Sequence, residues 1–167
     1  MEESRVLLKF SGLKVGKHQF QYKIEQSFFD LFEFDQDFSS PKLEVLVELE
    51  KKENFMVASI GLSGEVLLDC DVCLESLSHK LNEDLNLIIR FAEEFDDSEE
   101  EILLLPFNAY QVDLSQYIYE LTLLNLPLKR VHSSCKDKWE DLPQIQPIEQ
   151  QKDSKDPRWE KLNDLYK

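Results

Sequence analysis

Two consecutive segments of the chain alternate between apolar and polar residues, a pattern that confines them to extended strands. Residues 43–50 read LEVLVELE, and residues 55–64 read FMVASIGLSG. Side chains of a strand point alternately to the two faces of its sheet, so each segment presents one apolar face. The polar KKEN stretch between the segments predicts the turn of a hairpin.

Further segments of the same kind flank this hairpin. Extended segments are predicted at 4–10, at 18–25 (HQFQYKIE), and from 77 to 91 with a break or bend at 82–84. The sequence EEFDDSEEE at 93–101 is a run of charge and predicts a solvated loop. Successive strands joined by short turns predict a curved, mainly antiparallel sheet over a core.

A helix at 113–126 is predicted to cover the sheet. DLSQ at its start has the spacing of a capping box, apolar residues recur after it at helical intervals, and Pro127 ends it. The predicted fold class is α+β, with one covering helix and a short C-terminal helix. We place a single α+β domain at 1–142, a linker rich in Gln, Pro and Lys at 143–155, and the short helix at 156–167.

The C-terminal helix carries the apolar residues Trp159, Leu162 and Leu165. Asp156 is suited to cap it, and Pro157 suits its first position. A helix of this length is not stable alone. It either docks on its own domain, which the large area of Trp159 favours, or binds a partner. Trp159 is therefore a candidate contact residue.

Two pairs of soft metal donors account for every cysteine in the chain. Cys70 and Cys73 form CDVC, and His132 and Cys135 form HSSC. A spacing of two residues between donors is usual for ligands that grip one zinc ion from a tight turn. These four residues are the candidate metal site, and structural zinc is the cofactor that they imply.

Three interpretations of Cys70 and Cys73 stay open at this point: a zinc-type site, a redox pair, or two ordinary thiols in a turn. A redox cysteine needs a lowered pKa. Asp69, Asp71 and Glu75 surround the pair and predict a raised pKa instead. The same carboxylates do not hinder a divalent cation, whose own charge dominates its surroundings.

The net charge of −15 bears on the partners that the chain can bind. An acidic field repels bare phosphate backbone and favours basic partners, although it also keeps a protein soluble. Lys129 and Arg130 form a local basic pair, at which direct RNA contact is the alternative. The odd number of cysteines, the absence of a basic-then-apolar leader and the lack of a long apolar run predict a cytoplasmic protein without a membrane segment.

The order of these features resembles the bacterial YceD family, which is named for large ribosomal RNA subunit accumulation. The resemblance rests on CDVCLE with Cys70 and Cys73, on LPLKRVH with Pro127 and His132, on Cys135 soon after, and on DPRW with Leu162 near the end. A Phe-rich strand and an acidic loop lie between the first two motifs, and GLKVGKHQFQYKIEQSFF fits one branch of the family.

The resemblance implies a role in the synthesis, processing or stability of large-subunit ribosomal RNA, and hence in ribosome assembly. No Gly-rich phosphate loop, Gly-x-Ser-x-Gly elbow or His-Glu-x-x-His motif occurs in the sequence. We therefore expect a non-enzymatic factor that contacts a basic protein partner, such as a ribosomal protein or an RNA-processing enzyme. A redox or metal-handling protein that uses Cys70 and Cys73 is the alternative.

Overall fold

The computed structural model describes residues 5–34, 36–99 and 101–136. Within these ranges the chain forms eight strands, two α-helices and one 3₁₀ turn. In chain order they are β1 (Leu7–Lys9), β2 (Gly16–Ile24), α1 (Gln26–Phe29), β3 (Ser39–Lys51), β4 (Phe55–Asp69), β5 (Ser76–Ala92), β6 (Asp96–Glu99), β7 (Ile102–Pro106), β8 (Gln111–Asp113), α2 (Ser115–Leu124) and the 3₁₀ turn Ser133–Cys135.

The described part of the chain is built on a six-stranded sheet in the order β2-β3-β4-β5-β7-β6. Neighbouring strands are antiparallel, with the exception of the parallel pair β5–β7. Strands β1 and β8 form a separate antiparallel ladder, and α2 packs against β4 and β5. The predicted α+β class and the mainly antiparallel sheet are confirmed.

The alternating segments form the long strands β3 and β4, as their pattern predicts. Val45 lies opposite Leu62 and Val47 opposite Ile60, and all four side chains are buried. Burial of an aliphatic side chain of this size contributes roughly 1.5–3 kcal/mol relative to leaving it exposed. The hairpin is therefore fixed in register, because a slip by one residue would turn these side chains to solvent.

Helix α2 packs against β4 and β5 and contributes buried residues to the core. Ile118 and Thr122 are buried on it, and the ring of Tyr119 stacks on Phe32 with the ring centroids 3.9 Å apart. The helix is shorter than predicted and begins at Ser115, whose N–H donates to Asp113 Oδ1 at 2.9 Å. The predicted capping box is not formed, however, because Leu114 is the N-cap residue and the Gln116 side chain donates to Glu120.

Two predictions about local structure are wrong. The charge run is not a loop throughout, because β6 pairs with β7 and places Asp96 opposite Leu104. An edge strand can carry charge, since its side chains stay in solvent while its backbone pairs on one side. The predicted break at 82–84 is also absent, because β5 is one continuous strand and stays paired with β4 through these residues.

The end of the predicted domain, the linker at 143–155 and the helix at 156–167 lie outside the described residues. Among the described residues, no helix has the length and apolar character needed to cross a bilayer.

Gly64 on β4 occupies a backbone conformation that a side chain would not tolerate. Its φ is +146°, and a Cβ there would collide with the Lys42 carbonyl oxygen and lie 2.8 Å from Leu43 Cα. Gly64→Ala should therefore lower the free energy of unfolding by roughly 2–4 kcal/mol, measured by urea denaturation. Gly12→Ala is the matched control, because a Cβ at Gly12 meets no atom within 4 Å. Equal stability of the two variants would contradict this assignment.

Candidate metal centre

Cys70 and Cys73 lie at the tip of the β4–β5 hairpin, in a tight turn. The Cys70 N–H donates to the Glu75 carbonyl and the Leu74 N–H donates to the Cys70 carbonyl, each at 2.9 Å. Leu74 has a φ of +59°, in the left-handed region that reverses a chain sharply. Turn geometry therefore returns the chain within a few residues and keeps both cysteines at the tip.

His132 and Cys135 come from the segment that follows α2. Cys135 ends the 3₁₀ turn Ser133–Cys135, and its N–H donates to the His132 carbonyl at 3.0 Å. In 3₁₀ geometry the side chains of residues i and i+3 lie one above the other. The short spacing of HSSC therefore lets both donors face the same point.

The structure brings together all four residues that the sequence suggests as metal ligands. One donor atom from each of Cys70, Cys73, His132 and Cys135 lies within 4.8 Å of the others. Tetrahedral zinc with Zn–S bonds of about 2.3 Å and a Zn–N bond of about 2.0 Å would place its donors roughly 3.4–3.8 Å apart. The donors therefore need only small movements to meet one ion, and three thiols with one imidazole suit zinc.

The imidazole of His132 is oriented by contacts at both ring nitrogens. Nε2 lies 3.2 Å from the Ser76 carbonyl oxygen, and Nδ1 lies 3.4 Å from the Cys73 sulfur. A carbonyl oxygen only accepts hydrogen bonds, so this contact suits the neutral tautomer that carries its proton on Nε2 and its lone pair on Nδ1. Metal-binding histidines are held in the same way, with the second nitrogen donating to a backbone carbonyl or carboxylate. Nδ1 is therefore the donor atom of His132.

The prediction of a raised pKa is wrong for Cys70. Burial raises the pKa of Cys70, but the backbone N–H groups of Cys73, His132 and Val72 donate to its sulfur and lower it to about 6. Hydrogen bonds to a thiolate favour the charged form. The acidic neighbours matter less than these N–H groups, because the Asp71 carboxylate is turned to the Arg130 backbone.

The pKa of Cys73 is shifted in the opposite direction, above its ordinary value. The Glu75 N–H lowers its pKa, but burial and the neighbouring sulfurs of Cys70 and Cys135 outweigh that contact, so the pKa of Cys73 is raised. Two adjacent sulfurs do not both ionise readily, because like charges repel. A divalent cation would remove this repulsion, and its binding would release a proton.

The basic pair that the sequence suggests for partner or RNA contact is located on the segment leading to His132. The Arg130 guanidinium contacts Asp37, with Nη2 3.3 Å from Oδ2 and Nη1 3.2 Å from the carbonyl oxygen. Its side chain is only 20% exposed. Lys129 is exposed beside it. Trp159, the third predicted contact residue, lies outside the described residues.

The roles of two residues at the site, Ser76 and Asp71, cannot be predicted from the sequence. The Ser76 carbonyl orients His132, but any residue supplies such a carbonyl, so no side-chain pattern reveals it. Asp71 bonds to Arg130 across the site. In the sequence it is simply one of several acidic residues near CDVC, and its partner is 59 positions away.

A family model described as "Large ribosomal RNA subunit accumulation protein YceD" matches residues 58–166. The match covers most of β4, all of β5 to β8, α2, and the four donor residues. Searches of curated proteins and of solved structures found no match to this chain.

The donor set predicts that the reduced, purified protein carries close to one zinc per chain, measured by elemental analysis. Cys70→Ser, Cys73→Ser and His132→Gln should each remove most of the metal and destabilise the hairpin tip, because binding free energy at such sites is folding free energy. His79→Gln, a change on β5 outside the cluster, should leave the zinc content unchanged. Protein purified without chelators that carries no stoichiometric metal would contradict the assignment.

The metal-free thiols should alkylate slowly at neutral pH. Cys70 has a lowered pKa but is 0% exposed, and Cys73 is more accessible but has a raised pKa. We expect iodoacetamide to modify each of them no faster than a cysteine in a model peptide, as followed by mass spectrometry. A rate far above that of the peptide would favour the redox interpretation.

Proposed function

The chain belongs to the YceD family, and on that premise we propose that it is a non-enzymatic, cytoplasmic factor of ribosome biogenesis. In this role it supports the synthesis, processing or stability of large-subunit ribosomal RNA. The observation that carries the proposal is the family match over 58–166, which contains the whole candidate metal centre. The family description names the accumulation of an RNA and does not name a reaction.

The metal in this proposal is structural zinc. Cys70, Cys73, His132 and Cys135 would hold it, and it would supply a cross-link between the β4–β5 tip and the segment after α2. Four protein donors fill a tetrahedral zinc ion, whereas a catalytic zinc keeps one position for water or substrate. The donor count therefore supports a role in stability, in agreement with a protein that is not an enzyme.

The partner in this proposal is a basic protein. A chain with a net charge of −15 repels RNA phosphates and attracts basic surfaces, and this attraction also speeds association. Ribosomal proteins and RNA-processing enzymes bind RNA, which requires basic surface. A complex of this kind should weaken with added salt, because charge attraction is screened over roughly 8 Å at physiological ionic strength.

A groove of about 970 Å³ is the surface that best suits such a partner. It lies between α2, the β1–β8 ladder and β7. Apolar and aromatic side chains form much of its wall, among them Leu7, Phe32, Phe95, Leu105 and Tyr117. Phe95 is 58% exposed, and an exposed aromatic beside an apolar groove is typical of a protein contact.

The charged residues of the groove are mainly acidic. Asp97, Asp113 and Glu120 line it, and the basic residue in its lining, Arg5, lies 3.5 Å from Asp113. Burial raises the pKa of Tyr117, and the charges of Asp97 and Glu120 raise it further. The two carboxylates thus act on the same part of the groove. A basic segment with an apolar anchor residue is complementary to this surface.

Direct RNA contact near Lys129 and Arg130 is the alternative mechanism for the same role. It is less well supported, because the Arg130 guanidinium is already paired with Asp37. RNA binding there would have to replace this ion pair and overcome the net negative charge of the chain. Trp159 remains a predicted contact residue, either for the partner or for the protein's own domain.

A redox or metal-handling protein is the second candidate function. The lowered pKa of Cys70 favours it, because a thiolate is the reactive form of cysteine. Complete burial of the Cys70 side chain opposes it, since a redox cysteine must be reached by its substrate. Three thiols around one histidine also form a ligand set more readily than a two-cysteine redox pair.

Deletion of the gene should lower the ratio of large to small ribosomal subunits, measured by sucrose-gradient sedimentation during cold growth and in rich medium. The purified protein should bind nonspecific RNA weakly at physiological salt, because its net charge opposes phosphate. Normal subunit ratios under both growth conditions would refute the ribosomal role. Tight RNA binding that is lost in Lys129→Glu/Arg130→Glu would keep the role and replace the protein-contact mechanism.

Complementation of the deletion strain tests the groove within the same experiment. Asp97→Lys/Glu120→Lys should fail to restore the subunit ratio, because it reverses the charge of the proposed contact. Glu53→Lys/Glu83→Lys changes the net charge equally at exposed positions outside the groove and should restore the ratio. Failure of both double variants would indicate that overall charge matters and the groove does not.

A further inference from the structure

The two segments that supply the candidate metal ligands are joined by a pair of hydrogen bonds in which no ligand takes part. The Asp71 N–H donates to the Arg130 carbonyl oxygen at 2.7 Å. In return, the Arg130 N–H donates to Asp71 Oδ2 at 2.9 Å. Both bonds connect the hairpin tip to the segment after α2.

The Asp71–Arg130 pair lies close to candidate metal ligands on both segments. Asp71 is the residue after Cys70, and Arg130 is two residues before His132. His132 makes further contacts between the two segments, through its N–H to the Cys70 sulfur, its Nδ1 to the Cys73 sulfur and its Nε2 to the Ser76 carbonyl. The Asp71–Arg130 pair is therefore an attachment that does not depend on the ligands.

Arg130 is itself held in place by a third segment. Its guanidinium contacts both the carboxylate and the carbonyl oxygen of Asp37, and its Nε lies 3.4 Å from the Pro127 carbonyl oxygen. The Asp37 side chain is 76% exposed, so the charge attraction alone contributes little. The contacts instead restrict where the Arg130 backbone can lie, and hence where Asp71 meets it.

We propose that Asp71 is a positioning residue that sets the donor atoms of the metal centre at binding distance before a metal arrives. The inference rests on the proposed structural metal and names the residue that preorganises it. Donors that are already gathered lose less conformational freedom when they bind an ion. Loss of a residue that orients metal ligands weakens metal binding by 10–100-fold in proteins generally.

Three variants of the full-length protein separate positioning from charge. Asp71→Ala removes the acceptor of the Arg130 N–H. Asp71→Asn removes the charge but keeps an oxygen that can accept the same bond. Asp69→Ala removes an exposed carboxylate that is equally close to Cys70 in the sequence, on its other side.

The probes are Zn²⁺, competed against a chromophoric chelator, and Co²⁺, whose visible absorption reports thiolate ligation and tetrahedral geometry. Asp71→Ala should bind Zn²⁺ about 10–100-fold more weakly than wild type and give an altered Co²⁺ spectrum. Asp71→Asn and Asp69→Ala should stay within about threefold of wild type and keep its spectrum. Hydrogen exchange of the Arg130 amide in metal-free protein should be faster in Asp71→Ala alone.

Asp71 is exposed, so we expect Asp71→Ala to fold. Should it fail, Asp71→Val replaces it, because valine is close to aspartate in size and also lacks an acceptor for the Arg130 N–H. Wild-type affinity and spectrum in the tested variant would overturn the positioning role while leaving the metal centre intact. Equal weakening in Asp71→Asn and Asp69→Ala would assign the effect to charge. A wild-type chain that binds neither metal would refute the proposed metal centre and this role with it.

Discussion

The contact between the tip of the β4–β5 hairpin and the segment after α2 is the interaction on which the proposed function of this chain depends. The two segments approach closely enough for the His132 N–H to lie 3.5 Å from the Cys70 sulfur. Each segment by itself offers two donors, which is too few to hold a zinc ion firmly. Their contact creates a complete ligand set, and the sheet and α2 hold the two segments at that distance.

This arrangement explains why two cysteines in one turn differ in their acid–base behaviour. The sulfur of Cys70 is buried where several backbone N–H groups converge on it, one of them from His132, and its pKa falls. Cys73 lies nearer the surface among other sulfurs, and its pKa rises. Cys70 is thus the more readily ionised of the two thiols, and cysteine ligands lose their protons when a metal ion binds.

Much of the fold follows from the sequence, because alternation over β3 and β4 leaves one possible buried face. The four candidate metal ligands can also be identified from the sequence, because they form the two spaced pairs CDVC and HSSC. The structure corrects features that depend on pairing between distant residues. The acidic sequence of β6 gives no sign that this segment pairs with β7 as an edge strand. The pKa of Cys70 depends on backbone N–H groups that surround its sulfur only in the folded protein. Asp71 could not be distinguished from its acidic neighbours, because its partner Arg130 becomes adjacent only after folding.

The most direct test of this account is X-ray absorption at the zinc edge of the purified, reduced protein. Three sulfur ligands at about 2.3 Å and one nitrogen ligand at about 2.0 Å would identify Cys70, Cys73, Cys135 and His132 as the shell of a single ion. The His132→Gln variant, reconstituted with excess Zn²⁺, should lack the nitrogen contribution. A first shell made of nitrogen and oxygen alone, or one that is unchanged in His132→Gln, would contradict the assignment.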